Sequence, residues 1–185
     1  MKVLKLHSDL DKLIKKAQKQ DRVAQYRLYD TYGSKMLSVC RFYIKDLHHA
    51  EDVLQKGFCK AFLNLKTYNF KGSFEGWLRR IIVRQSIDFL RQQKSIMIPT
   101  DRFDTFSTQD NPMDDVEDVS HIQEAIDKLP EGYKTVFCLY VLEEYKHKDI
   151  AKLLNIDVGT SKSQLYKARK MLKEILQNNQ KKTMP

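Results

Sequence analysis

Aromatic and basic side chains alternate in residues 66–74, hereafter the aromatic loop, where Gly72 interrupts the helical pattern found on either side. The rings and ammonium groups belong to Lys66, Tyr68, Phe70, Lys71 and Phe74. Unpaired bases stack on aromatic rings, and lysine side chains attract the phosphates that join the bases. The pattern is therefore typical of a site for single-stranded nucleic acid. The alternative is that the rings pack into the core, and composition alone leaves both interpretations open.

The three rings of the aromatic loop have different expected roles. Phe74 precedes Trp77 and Leu78 by about one helical turn, so we expect its ring to pack within the helix that follows. Tyr68 and Phe70 lie further from that helix along the chain. They are therefore the better candidates for the wall of a base pocket.

Two amphipathic helices must position the aromatic loop. The helix before it, residues 50–65, carries apolar residues at the i, i+3, i+4, i+7 spacing for about four turns. The opposite side of this helix carries the polar residues Glu51, Asp52, Gln55 and Lys56. On the helix after the loop, residues 75–91, three arginines lie within an arc of about 40°: Arg80, Arg84 and Arg91. Because this row directly follows the aromatic loop, it favours a nucleic-acid-binding face.

The net charge of +9 is unevenly distributed along the 185 residues. Residues 1–95 contain 20 Lys and Arg against 9 Asp and Glu, residues 96–120 contain 1 against 7, and residues 121–185 contain 12 against 8. Two basic blocks separated by an acidic one indicate two units that bind a polyanion, joined by a segment that does not.

The pattern predicts an all-α fold of two small helical domains, because the chain has only 6 Gly and 4 Pro and its apolar spacing is helical. The first helix is expected to begin at Ser8 or Asp9. We expect four segments: a helical bundle at residues 1–94, an acidic flexible linker at 95–119, a second helical domain at 120–176 and a disordered tail at 177–185. The linker has no apolar period and contains two prolines.

The second basic block has the spacing of a helix-turn-helix. A helix ending at Leu154 is followed by a turn at residues 155–157 and a helix from Val158. Asn155 tolerates the left-handed backbone conformation that such a turn requires, and Asp157 is a plausible N-cap. Five side chains of the second helix are the candidates for contacts with duplex DNA in the major groove: Lys162, Ser163, Tyr166, Lys167 and Lys170.

The remaining patterns exclude several classes of protein. Cys40, Cys59 and Cys138 lack metal-site or C-x-x-C spacing, so we expect buried, reduced thiols, no metal and no cofactor. A nuclease needs clustered carboxylates, yet residues 66–94 contain only Glu75 and Asp88, about three and a half turns apart. No apolar run is long enough for a membrane span or a signal peptide. We therefore expect a cytoplasmic, non-enzymatic binding protein without membrane insertion.

The ordered motifs of the first domain resemble region 2 of the bacterial RNA polymerase sigma factors, most closely the extracytoplasmic-function (ECF) group. They comprise the run 50–55 (Ala-Glu-Asp-Val-Leu-Gln), Phe58, Ala61, Phe62, Phe74, Trp77, Leu78, Ile81, Asp88 and Arg91. The second domain resembles sigma region 4, through Leu129, Pro130, Ile150, Ala151, Gly159, Thr160, Lys162, Ser163, Ala168 and Arg169. Two departures from the family pattern are Arg84, where Asn is usual, and Ser161, where Val is usual.

The resemblance implies a set of partners and roles. Region 2 would bind the clamp of the largest subunit of core RNA polymerase through residues 51, 52, 55 and 56, and its loop and arginines would bind the melted −10 promoter element. Region 4 would bind the flap of the second-largest subunit and read the −35 duplex. An anti-sigma factor is a common partner in this group, which the sequence itself neither requires nor excludes. The alternative function is a one-component helix-turn-helix regulator, which would give the aromatic loop no role.

Overall fold

The computed structural model describes residues 2–93 and 119–183, which fold into helices and turns without strands in those ranges. The chain divides into two compact units, residues 1–89 and 90–185. The predicted all-α fold is therefore confirmed. Most of the predicted acidic linker lies outside the described residues. No helix in the described ranges is long and apolar enough to cross a membrane.

The first unit is built from four helices and one short 3-10 turn. They are α1 (Lys2–Gln18), α2 (Arg22–Tyr43), α3 (Leu47–Leu63), the 3-10 turn Leu65–Thr67 and α4 (Phe74–Gln92), whose last three residues extend past the unit boundary at residue 89. The start predicted for α1 at Ser8 or Asp9 is wrong, since the preceding lysines and leucines are good helix formers that extend the helix to Lys2. The side chains of Asp21 and Asp46 cap α2 and α3, accepting hydrogen bonds from backbone amides at 3.0 Å and 2.8 Å.

The core of the first unit is filled by aliphatic side chains from all four helices. Fully buried examples are Ile14, Leu28, Met36, Leu78, Ile82 and Ile87. Helices α3 and α4 approach each other closely at Gly57, where an added Cβ atom would lie 2.4 Å from Cδ1 of Ile82. Glycine at this position therefore sets how closely α3 and α4 can pack.

The second unit contains α5 (Val119–Asp127), α6 (Glu131–Phe137), α7 (His147–Leu154) and α8 (Val158–Thr183). Helix α6 continues as a π-helical turn over Cys138–Leu142. The buried ammonium of Lys134 lies 3.6 Å from the Asp127 carboxylate, so an ion pair joins α5 to α6. Helix α8 continues to Thr183, beyond the expected end at 176, because residues 177–183 include no Gly or Pro.

The turn between α7 and α8 has the predicted geometry. Asn155 adopts the left-handed conformation, with φ 55° and ψ 51°, and its backbone N–H donates to the Ala151 carbonyl. Ile156 donates to the same carbonyl at 3.0 Å, which completes the end of α7. Val158 then opens α8, directly after Asp157. The helix-turn-helix is thus present in the second unit.

The cysteine prediction is confirmed for two residues and wrong for the third. Cys40 and Cys138 are buried, and burial raises the pKa of their thiols to about 11 and about 12. Cys59 is exposed, because it lies on the polar side of α3 rather than on its apolar stripe.

Candidate nucleic-acid and polymerase interfaces

Tyr68 is the centre of a ring cluster that gives the aromatic loop its shape. Its ring is only 6% exposed, and it lies 5.4 Å from the Phe74 ring and 5.6 Å from that of Trp77. Its hydroxyl donates a hydrogen bond of 2.9 Å to the carbonyl of Gly72, whose φ of 88° reverses the chain. Phe74 packs as predicted, but the expectation that Tyr68 lies further out is wrong. The intraloop hydrogen bond satisfies the phenol and so permits its burial.

Phe70 is the aromatic loop's half-buried ring. The Phe70 ring is tilted against the Tyr68 ring, with 5.0 Å between centroids, and the ammonium of Lys15 lies 5.4 Å from the Phe70 centroid. The backbone of Phe70 has a φ of 62°, a value that bulky residues seldom adopt. Lys66 and Lys71 are exposed on either side of it. Phe70 thus combines a strained backbone conformation with a partly accessible ring that has cations nearby.

The three predicted arginines of α4, Arg80, Arg84 and Arg91, are all exposed. Ile87, which lies about 20° outside this arc, is fully buried and marks the edge of the charged face. Arg84 also borders a cavity of about 270 Å³ lined by Lys60, Asn64, Thr67, Trp77, Ile81 and Arg84. Its aromatic, amide, hydroxyl and cationic groups suit a nucleobase and its phosphate. Sequence reasoning missed Lys60, Asn64 and Thr67, although their i, i+4, i+7 spacing is a visible signal.

The polar side of α3 presents a continuous charged surface. Asp52, Gln55 and Lys56 are exposed and Glu51 is half-buried, whereas Val53 and Leu54 are buried on the opposite side. Cys59 follows Gln55 by one helical turn and lies on this same surface. We call these five residues, 51, 52, 55, 56 and 59, the α3 surface.

The predicted DNA-contacting residues of α8 are also accessible. Lys162, Ser163 and Lys170 are exposed, whereas Tyr166 and Lys167 are half-buried. The Lys167 ammonium lies 5.9 Å from the centroid of the Tyr133 ring, so it also packs against α6. The Ser163 hydroxyl donates to the Thr160 carbonyl at 3.0 Å.

A second cluster beside this face was missed by sequence reasoning. His147 stacks on Tyr140, with 4.6 Å between centroids, and the guanidinium of Arg169 lies 5.8 Å from the Tyr140 centroid. Burial lowers the pKa of His147, as do the positive charges of Lys162 and Arg169. Arg169 follows Lys162 by two helical turns, a spacing that places both on one face and could have identified it.

Both units match known sequence families. Residues 28–96 match Sigma-70 region 2, and residues 121–172 match Sigma-70, region 4. Residues 28–96 include the α3 surface, the aromatic loop and the arginines of α4. The match therefore favours a sigma factor over a one-component regulator.

Individual relatives agree with the family matches. The ECF RNA polymerase sigma factor SigW of Bacillus subtilis is 29% identical over 182 residues, covering 91% of this chain and 97% of SigW. RNA polymerase sigma factor SigV of the same organism is 32% identical over 131 residues, covering 71% of this chain and 78% of SigV.

A solved structure shares the fold. The sigma factor RpoE of Bartonella quintana, crystallised with the anti-sigma factor NepR, superimposes with a TM-score of 0.51 at 18% identity. The match covers 82% of this chain and 96% of RpoE. With helical units that match regions 2 and 4 and with relatives that cover most of its length, the chain belongs to the sigma-70 family of RNA polymerase sigma factors, in the ECF group.

Proposed function

We propose that the aromatic loop captures an unpaired base of the −10 element when this sigma factor directs promoter melting. The observation that carries the proposal is Phe70. Its ring is half-buried, its backbone has a φ of 62°, and it lies in the sequence between two exposed lysines. A strained backbone persists where the surrounding structure enforces it, and such strain clusters at binding sites. The accessible ring offers a stacking surface for a base, and Lys66 and Lys71 offer charges for its phosphates.

The cavity beside α4 extends the same proposed site. Trp77 contacts the Tyr68 ring and also lines the cavity, so one aromatic side chain joins the two features. Its other walls carry the amide of Asn64 and the charges of Lys60 and Arg84. We propose that this cavity, together with the exposed Arg80 and Arg91, binds the single DNA strand where it continues beyond the captured base.

The remaining predicted residues have distinct proposed partners. On α8, Lys162, Ser163, Tyr166, Lys167 and Lys170 would contact the −35 duplex, because the second helix of a helix-turn-helix enters the major groove. The α3 surface would bind the clamp of the largest subunit of the polymerase, and region 4 would bind the flap of the second-largest. By analogy with the complex of RpoE and NepR, an anti-sigma factor is a further proposed partner.

Replacement of Phe70 by alanine tests the base-capture proposal. We would first select a promoter from a random-sequence DNA pool with wild-type holoenzyme, hereafter the selected promoter. Phe70→Ala should leave binding to core polymerase and to −35 duplex unchanged but impair melting, detected as reduced permanganate reactivity of −10 thymines. A stacked base contributes about 1–3 kcal/mol. A template with a pre-melted bubble should restore the mutant only in part, because the lost contact is to the unpaired strand.

Tyr26→Ala is the matched control, since it removes another aromatic ring of the first unit, one that is 69% exposed and outside the Tyr68 cluster. It should melt the selected promoter like the wild type. Wild-type melting by Phe70→Ala, or an equal loss of −35 duplex binding, would contradict base capture by the aromatic loop.

A further inference from the structure

One polar face of α1 lies against the aromatic loop. The side-chain amide of Gln18 donates two hydrogen bonds, to the carbonyls of Leu65 and Tyr68, each at 3.0 Å. These two carbonyls belong to the first residue of the 3-10 turn Leu65–Thr67 and to the residue that directly follows this turn. A single side chain of α1 thus binds the start of the loop at two points.

Two further residues of α1 face the loop at helical spacing. Lys15, about one turn before Gln18, places its ammonium 5.4 Å from the centroid of the Phe70 ring. Asp11 lies one turn earlier and adds to the effect of burial in raising the pKa of Tyr68. Residues 11, 15 and 18 follow the i, i+4, i+7 pattern, so they share one face of α1. This face lies beside the apolar stripe that includes Ile14 and Ala17.

We propose that α1 positions the aromatic loop for base capture, with Gln18 fixing the backbone at residues 65–68 and Lys15 holding the ring of Phe70. This inference rests on the proposed function of the loop. Phe70 needs such support because its left-handed backbone is unfavourable for a bulky residue. The internal hydrogen bond of Tyr68 shapes the loop but does not connect it to another helix.

Lys15 also adds a positive charge beside the proposed base site. A cation over an aromatic ring is attracted to its face. With Lys15 beside Phe70, a base stacked on the exposed part of the ring would bring its phosphate near a further positive charge. Gln18 and Lys15 are therefore positioning residues, which act through the loop.

Gln18→Met tests the hydrogen bonds, because methionine has a similar length but no donor. In holoenzyme on a bubble template of the selected promoter, we expect about tenfold weaker binding, the effect of losing two ordinary hydrogen bonds. Gln18→Lys, which restores a donor, should recover part of that loss. Gln25→Met is the matched control, since the Gln25 amide lies near the Ala17 carbonyl and the Gln20 side chain rather than the loop.

Trp77 supplies a spectroscopic readout, because it is the only tryptophan of the chain and its ring contacts Tyr68. In the full-length factor, Gln18→Met should increase quenching of Trp77 fluorescence by acrylamide, whereas Gln25→Met should not. Increased quenching with wild-type binding of the bubble would overturn the proposal, since the loop would then have moved without loss of capture. Unchanged quenching would overturn it as well.

Lys15→Gln is a second variant that spares the fold, because Lys15 is exposed. It should weaken binding of the bubble template two- to fivefold, about what one exposed cation–π contact provides. Lys16→Gln removes the same charge from the exposed neighbouring position and should have a smaller effect. Equal effects of the two substitutions would show that only overall charge matters and would overturn the role of Lys15.

Combination with Phe70→Ala separates this proposal from the function on which it rests. If Gln18 acts through the loop, Gln18→Met should weaken binding much less in the Phe70→Ala background than in the wild type. Fully additive losses would overturn the positioning role alone. Normal binding by Phe70→Ala itself would instead contradict base capture.

Discussion

The Nδ1 atom of His147 and the hydroxyl oxygen of Ser161 lie 2.9 Å apart, joining the first residue of α7 to the buried side of α8. Ser161 is fully buried, at a position where the family resemblance leads one to expect Val. A buried hydroxyl requires a partner, and the imidazole supplies it. The two helices of the DNA-binding unit are thus joined through a side chain that titrates.

The pH dependence of stability should therefore report on His147. Burial and the charges of Lys162 and Arg169 lower its pKa, so the folded state favours the neutral ring. The resulting stabilisation is complete above the ordinary value of 6.5 and is lost as the pH falls below 6.5 towards the lower folded pKa. Thermal unfolding should show a smaller pH-dependent loss for His147→Asn, which cannot titrate, than for the wild type.

Lys162→Met provides an internal check on the cause. It removes one of the two repelling charges and should give a pH dependence between those of the wild type and His147→Asn. If the thermal midpoint varied with pH by the same slope in the wild type and in His147→Asn, another group would control the acid sensitivity.

Salt dependence should test the proposed contribution of Lys162 to −35 binding. Lys162 is exposed on α8, so Lys162→Ala should weaken binding to duplex DNA. If the lysine contacts phosphate, affinity should fall for every sequence and the salt slope should decrease by about 1. If it reads a base, the loss should be about 1–3 kcal/mol on the selected promoter and small elsewhere. Lys128→Ala removes the same charge from an exposed residue directly after α5 and should change neither.

Chemical labelling should test the α3 surface without changing its charge. Cys59 is exposed, whereas Cys40 and Cys138 are buried with raised pKa values, so a maleimide should modify Cys59 alone. A bulky label there should prevent assembly with core polymerase, because Cys59 lies one turn after Gln55. Gel filtration of the labelled factor with core enzyme measures this. Normal assembly of the labelled factor would contradict the proposed contact between the α3 surface and the polymerase clamp.

Cys59→Ser provides the control for labelling, since it should assemble normally after the same treatment. Asp52→Lys combined with Gln55→Ala examines the same surface without a label. Both residues are exposed, so the double variant should lose assembly but keep its thermal midpoint.

Two glycines should respond in opposite directions to replacement by alanine. At Gly57 the new Cβ would meet Cδ1 of Ile82 at 2.4 Å, and Ile82 is fully buried. Overpacking costs about 1–3 kcal/mol, which exceeds the gain in helix propensity of about 1 kcal/mol. At Gly33 the nearest atom is 3.6 Å away, so Gly33→Ala should be neutral or stabilising. Denaturant unfolding measures both.

Ile82→Val should relieve the clash, because valine lacks the Cδ1 atom. On its own this substitution should cost about 0.5–1.5 kcal/mol. The double variant Gly57→Ala, Ile82→Val should be more stable than the sum of the two single effects predicts. Strict additivity would mean that the Cβ added at position 57 is accommodated without a clash against Cδ1 of Ile82.

Local features of the fold could be predicted from sequence because short-range spacing determines them. The buried residues Val53, Leu54 and Phe58 follow the helical period, and Asn155 lies at the turn where a left-handed residue is required. The exposure of Cys59 follows from the same period, although the apolar nature of cysteine obscured it. Such features require only neighbours within two helical turns.

Contacts between distant parts of the chain could not be predicted in this way. Gln18 binds carbonyls 47 and 50 residues further along the chain, and no local pattern connects them. Tyr68 and Phe70 are both aromatic residues of one loop, yet only the first has a hydroxyl that can bond to Gly72 and so be buried. The His147–Ser161 pair likewise depends on how α7 crosses α8.

The positive φ of Phe70 has a consequence for how this sequence can change over evolutionary time. A backbone in that region is most easily occupied by Gly, and next by Asn, so folding alone favours replacing the ring. Selection for stability and selection for transcription therefore act in opposite directions on one codon. Where only stability is selected, the phenyl ring would be lost early, while the hydrophobic core around Ile14 and Ile82 would persist.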